Sequence, residues 1–137
     1  MRRELRALAL GTGLIATGVA VAQTPAEILR GYESAARQAS PAFGGFSAQR
    51  GETFFRSAHG GDWSCASCHT QSPVAAGRHA VTGKAIAPLA PAASPARFTD
   101  SARVEKWFNR NCNDVLRRAC TPAEKGDVLA YLMSLKN

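Results

Sequence analysis

The chain has 137 residues, with 17 Lys and Arg against 10 Asp and Glu, a formal charge of +7, and 45% hydrophobic residues. That length supports one small domain, and no repeat or low-complexity tract divides it. No basic cluster interleaves with aromatics, so the positive charge gives no reason to expect nucleic acid as a partner.

Met1 to Arg6 carry three arginines and one glutamate, and a mostly apolar run follows from Ala7 to about Val19. Ala20-Val21-Ala22 then places small residues where a signal peptidase reads them. This pattern predicts a secretory signal peptide over residues 1–22, cut after Ala22. The apolar run is too short and too rich in Gly and Thr for a span, which needs about 20 apolar residues. No other segment has the character to cross a bilayer. The expected location is the periplasm or an equivalent oxidising space. Gln23 to Asn137 would form the single mature domain, with a net charge of +5.

Thr24-Pro25-Ala26-Glu27 reads as a capping box with proline at the first helical position. It predicts a helix from Pro25 to about Gln38, with Ile28, Gly31, Tyr32 and Ala35 on one face. A glycine-containing linker, Pro41 to Phe46, leads to a second helix opened by Ser47. Its expected face is Gly51, Phe54, Phe55 and Ala58. Gly51 weakens that helix, so close approach of another helix is expected there. Thr70 to Arg97 shows little periodicity and contains four prolines, an unusually long loop unless it wraps something. A third helix is predicted from Asp100 to about Asn111, capped by Thr99, with Val104, Trp107, Phe108 and Asn111 on one face. Thr121-Pro122-Ala123-Glu124 starts the last helix, whose stripe is Val128, Tyr131, Leu132 and Leu135. The total is four or five helices and no sheet.

The chemistry concentrates in Cys65-Ala66-Ser67-Cys68-His69. Two thiols three positions apart followed by an imidazole make a c-type haem attachment signature. The thiols add to the porphyrin vinyl groups, and His69 then coordinates the iron. A zinc site would need a second close cysteine pair, which Cys112 and Cys120 do not form. A redox C-x-x-C would sit among strands, and none is expected. In an oxidising compartment Cys112 and Cys120 would pair as a disulfide. Eight residues of straight helix rise about 12 Å, whereas a disulfide needs its Cα atoms within about 7 Å. The segment between them must therefore fold back.

The second axial ligand decides the function. Met133, the one methionine after the leader, lies off the apolar stripe of the last helix. His59 is six residues before Cys65, poorly placed for the other face of the ring. His79 lies in the long loop and could reach the iron. Asn111 ends the Val104/Trp107/Phe108 face as a polar amide that needs a partner once buried. From periodicity alone these alternatives stay open.

Three segments bear on that choice. They are Gly83-Lys84-Ala85-Ile86-Ala87-Pro88-Leu89-Ala90-Pro91, Arg97-Phe98-Thr99-Asp100-Ser101-Ala102-Arg103-Val104-Glu105-Lys106-Trp107, and Asn109-Arg110-Asn111-Cys112-Asn113 with Cys120-Thr121-Pro122 downstream. They resemble the SHP family, the oxygen-binding sphaeroides haem proteins. The resemblance covers nearly all of Gln23 to Asn137, least closely from Gln71 to Thr82. It implies an all-α, class I cytochrome-c-like domain with an extra N-terminal helix and one covalent haem c. It implies Asn111 as sixth ligand of the ferric haem, with the Cys112–Cys120 disulfide close by. It further implies a redox partner, a dihaem or other c-type cytochrome, and a diatomic gas as ligand of the reduced iron. An ordinary electron carrier with both axial positions permanently filled is the competing expectation. No further acid–base constellation supports an enzyme such as an NO dioxygenase or a small reductase.

Overall fold

A computed structural model describes residues 21–137. The predicted leader, apart from Val21 and Ala22, lies outside the described residues. Five helices follow in order: α1 (Pro25–Ala39), α2 (Ala48–Arg56), α3 (Cys65–His69), α4 (Ser101–Leu116) and α5 (Pro122–Ser134). Both predicted capping boxes form, at Thr24 and at Thr121, and Ser47 caps α2 through Arg50 N–H.

The interior is organised around α5, which packs against α1 on one side and α2 on the other. At the α2–α5 crossing the backbones nearly touch. A Cβ at Gly51 would collide with the Asp127 carbonyl, so the expected close approach is real. Phe55 packs on Tyr131 with ring centroids 5.7 Å apart, and Phe55, Leu129 and Leu132 are wholly buried. Asp127 locks the same crossing. Its carboxylate accepts from Ser47 N–H at 2.7 Å and from Arg50 Nε at 2.8 Å.

Three helix faces differ from expectation. On α1 the buried residues are Ile28, Tyr32 and Ala36, while Gly31 is exposed and Ala35 half-buried. The contact follows a single i, i+4, i+8 ridge laid against α5. Ala58 falls beyond the end of α2 and is exposed. Conversely α5 is buried well beyond its predicted stripe, including Lys125, Gly126, Asp127 and Leu129, because it has neighbours on several sides.

The long loop is not wholly irregular. Gly77–Arg78 (β1) pairs antiparallel with Ala85–Ile86 (β2), in the register Gly77↔Ile86 and Arg78↔Ala85. The expectation of no sheet is therefore corrected. Two-residue strands are too short to carry periodicity, and the turn between them is closed by His79 N–H on the Lys84 carbonyl at 2.8 Å. Leu89 and Ala90 both donate to the Pro73 carbonyl, which folds the loop back on itself.

α4 also departs from its predicted limits. Its cap is Asp100, which accepts from Arg103 N–H, and the helix continues through Asn111 and Cys112 to Leu116. Thr99 instead donates to the Ala96 carbonyl. α4 stands away from the other helices and is held at particular points. One is Glu105, which accepts from Tyr32 of α1 at 2.6 Å and from Lys125 of α5 at 2.8 Å. Burial pushes the Glu105 carboxyl up, but the hydrogen bonds from Lys125 and Tyr32 outweigh it and hold the group below its ordinary range. Burial and then Glu105 push the Tyr32 phenol well above its ordinary range.

Gly51→Ala should destabilise the protein by about 2–3 kcal/mol in denaturant melts, since the added methyl meets backbone that cannot move alone. Glu105→Gln should cost about 1–2 kcal/mol at pH 7, allowing for the exposed side of the carboxylate. A carboxyl held low stabilises above its unfolded pKa and ceases to do so as pH falls through its folded one. The gap between variant and parent should therefore close on acidification; a gap that persists at low pH would contradict the role given to Glu105.

Candidate functional site

A cavity of ≈ 770 Å³ opens between α2, α3, the loop, α4 and α5. Cofactor-sized pockets span about 300–1,000 Å³. Its walls are largely apolar, with Phe55, Ile86, Leu89, Phe98, Val128 and Leu132 among them.

α3 is a single turn, and it brings Cys65, Cys68 and His69 to this cavity together. Both cysteines are half-buried and neither takes part in a disulfide. Burial pushes the Cys65 thiol up to about 11. Burial, and then the charge of Arg97, hold the His69 imidazole down to about 4. His69 is thus neutral at pH 7, the form that donates a lone pair to a metal.

Local structure fixes this turn closely. The chain leaves it through Thr70 at φ +64° and ψ 165°, a region that favours glycine. The Thr70 hydroxyl compensates by donating to the Ser72 carbonyl and accepting from Ser72 N–H, at 2.7 and 3.1 Å. Gly77 lies so close behind α3 that a Cβ would strike the Cys68 carbonyl. Arg97 ties the covering loop beside His69, donating to the carbonyls of Pro88 at 3.2 Å and Ala87 at 3.0 Å.

Asn111 reaches the same cavity from α4, as do Val104, Trp107 and Phe108. Among the described residues its side-chain amide has no hydrogen-bond partner, whereas Asn113 donates back to the Asn109 carbonyl. The disulfide Cys112–Cys120 forms, with Cα atoms 5.7 Å apart, and both cysteines border the cavity. The required fold-back comes at Arg117, in a left-handed conformation at φ +59° just beyond the end of α4.

The other ligand candidates are engaged elsewhere. His59 stacks on Phe54, and its Nε2 lies 2.8 Å from the Phe54 carbonyl; it does not line the cavity. Met133 packs half-buried against the core and does not line it either. His79 does border the cavity, but its Nδ1 accepts from Val81 and Thr82 N–H, and the adjacent Ala80 N–H points at Cys68 Sγ. His79 therefore belongs to the Cys68 side of the site. Arg97 and Phe98 were not singled out from the sequence as site residues. Each sits in the aperiodic loop, where no spacing announces which side chain turns inward.

The residues fit a haem. The walls are apolar, two thiols and a neutral imidazole share one turn, and an unpartnered amide enters from a second helix. Lys84 and Arg97 also line the cavity, and a haem held there would find their positive charge available to its carboxylates.

Residues 41–132 match the family described as a domain of unknown function (DUF1924). The chain is similar to the cytochrome c-type protein SHP of Cereibacter sphaeroides, at 48% identity over 131 residues, 93% of this chain and 96% of that protein. The structure of oxidized SHP, an oxygen binding cytochrome c, gives a TM-score of 0.74 at 47% identity, covering 83% of this chain and 99% of that one. Cytochrome c'' of Methylophilus methylotrophus is 41% identical over 107 residues, 75% of this chain and 74% of that protein. Its oxidized crystal structure gives a TM-score of 0.73 at 38% identity, covering 82% and 95%. A solution structure of cytochrome c'' concerned with haem-ligand detachment gives 0.71, at 38% identity over 82% of this chain and 94% of that one.

Replacing Cys112 and Cys120 together by serine should cost about 2–3 kcal/mol in denaturant melts of the holoprotein, the value of closing so short a loop. Unchanged stability would mean that the turn after α4 is held without the bridge.

Proposed function

The chain belongs to the SHP family of c-type cytochromes, and from that premise we propose that it is a redox-linked binder of diatomic gases. One haem c is held by thioether bonds from Cys65 and Cys68, with His69 as the constant axial ligand. The haem, when bound, would supply a redox-active iron. Asn111 fills the second position in the ferric protein.

The chemistry of the amide makes this position releasable. Its oxygen is a neutral, hard donor and suits ferric iron better than ferrous. On reduction by the partner Asn111 would withdraw, leaving room for O2, NO or CO. The freed amide then serves as a hydrogen-bond donor to that ligand. Export through the leader, with cleavage after Ala22, delivers the protein to the periplasm. Its electrons come from a partner, a dihaem or other c-type cytochrome.

The observation that carries this reading is the lone Asn111 amide in the cavity of Cys65, Cys68 and His69. An ordinary carrier needs a strong donor there; His59 and Met133 do not line that cavity, and His79, which does, turns its Nδ1 to Val81 and Thr82 N–H in its own loop.

Asn111→Ala should change the ferric absorption spectrum. The unaltered protein, once reduced, should take up CO rapidly. A ferric spectrum untouched by the substitution would remove Asn111 from the site, and refusal of CO would leave an electron shuttle.

A further inference from the structure

The expected cleavage leaves Gln23 as the first residue of the mature chain, and the fold gives that residue a definite place. Among the described residues the tertiary hydrogen bonds begin with it. Val21 is 85% exposed and Ala22 is exposed, whereas Gln23 is half-buried. Its N–H donates to the Thr99 carbonyl at 3.0 Å. Its side-chain Oε1 accepts from Ser101 N–H at 2.9 Å. Asp100, between those two partners, has an extended backbone at φ -146° and ψ 107°, so the Thr99 carbonyl and Ser101 N–H project to the same side. Gln23 therefore turns its side-chain carbonyl and its backbone nitrogen toward one three-residue segment at the start of α4. Among the described residues nothing bonds its Nε2.

Cleavage changes that nitrogen. Its N–H becomes part of an α-ammonium, at a helix end where the dipole disfavours positive charge. The first turn of α4 has no acidic residue and carries Arg103. The carboxylates close by are committed, Asp100 to Arg103 N–H and Glu27 to Thr24 N–H. An α-amine titrates close to neutrality, so its lone pair is available. The carboxamide it would attack belongs to the same residue, and closure of a five-membered ring needs no second molecule.

We propose that Gln23, once freed, closes to pyroglutamate, and that this lactam is a fixed clasp on the start of α4. The amine nitrogen attacks Cδ, an N–Cδ bond forms, the Cδ–Nε2 bond breaks, and one proton of the amine leaves with Nε2 as ammonia. Nothing is oxidised or reduced. The lactam keeps one N–H and the Oε1 carbonyl, the two groups that Thr99 and Ser101 hold. It loses the positive charge and the unbonded Nε2. The inference rests on the cleavage after Ala22 and adds the fate of the new terminus and its role, which is to hold one end of the helix that carries Asn111.

The test is intact-mass and N-terminal peptide analysis of the holoprotein freshly taken from its export compartment. The expected mass is that of residues 23–137 with one haem, less one ammonia. Pyroglutamate aminopeptidase should then unblock the denatured chain at Thr24. A chain that begins at unmodified Gln23 overturns the modification and keeps the cleavage reading. A chain that begins elsewhere overturns both. Gln23→Asn cannot close a five-membered lactam and should keep its free amine. In the holoprotein of that variant the Ser101 amide should exchange with solvent about ten-fold faster than in the unaltered protein. Equal exchange overturns the clasp. Gas binding is read on its own, from CO uptake by the unaltered ferrous protein, so its failure is distinct from failure of this proposal.

Discussion

The Asp127 carbonyl occupies the space that a side chain at position 51 would need. That close crossing of α2 and α5 sets the rest of the molecule. It brings Phe55 against Tyr131 and presents Val128 and Leu132 as a fixed wall of the cavity. Asp127 reinforces it by taking Ser47 N–H and Arg50 at once. With α5 held this way, its outer side is free to bind α1, and its Lys125 becomes an anchor for α4.

The two sides of the site are built very differently. α3 is pinned by its own short turn, by Gly77 pressed against its backbone and by the Thr70 hydroxyl. α4 stands off from the helix pair, tied through Glu105 and through the disulfide one residue beyond Asn111. On the proposed function, a rigid support suits a ligand that stays, and a helix held at separated points suits one that withdraws on reduction. The T-shaped contact of Tyr32 with Phe108, at 5.9 Å, links the extra N-terminal helix to the same wall.

Local chemistry made much of this visible beforehand. Capping boxes at Thr24 and Thr121 set where α1 and α5 begin, and Gly51 marked a helix crossing, because each signal lies within a few adjacent residues. The thiols and His69 were equally plain. What escaped depended on partners distant in sequence. The burial of Lys125 and Asp127 is one case, since it depends on Glu105 and Arg50, each far away in the chain. The strand pair is too short for periodicity, and Arg97 acquires its place beside His69 only when the loop folds. α4 runs beyond its predicted end near Asn111, because the fold-back expected between Cys112 and Cys120 comes only at Arg117.

Iron-edge X-ray absorption of the holoprotein in both oxidation states tests the central claim most directly. The account predicts six near neighbours around ferric iron, including a light-atom donor that Asn111→Ala removes, and five around ferrous iron. Six neighbours in both states, indifferent to residue 111, would contradict it.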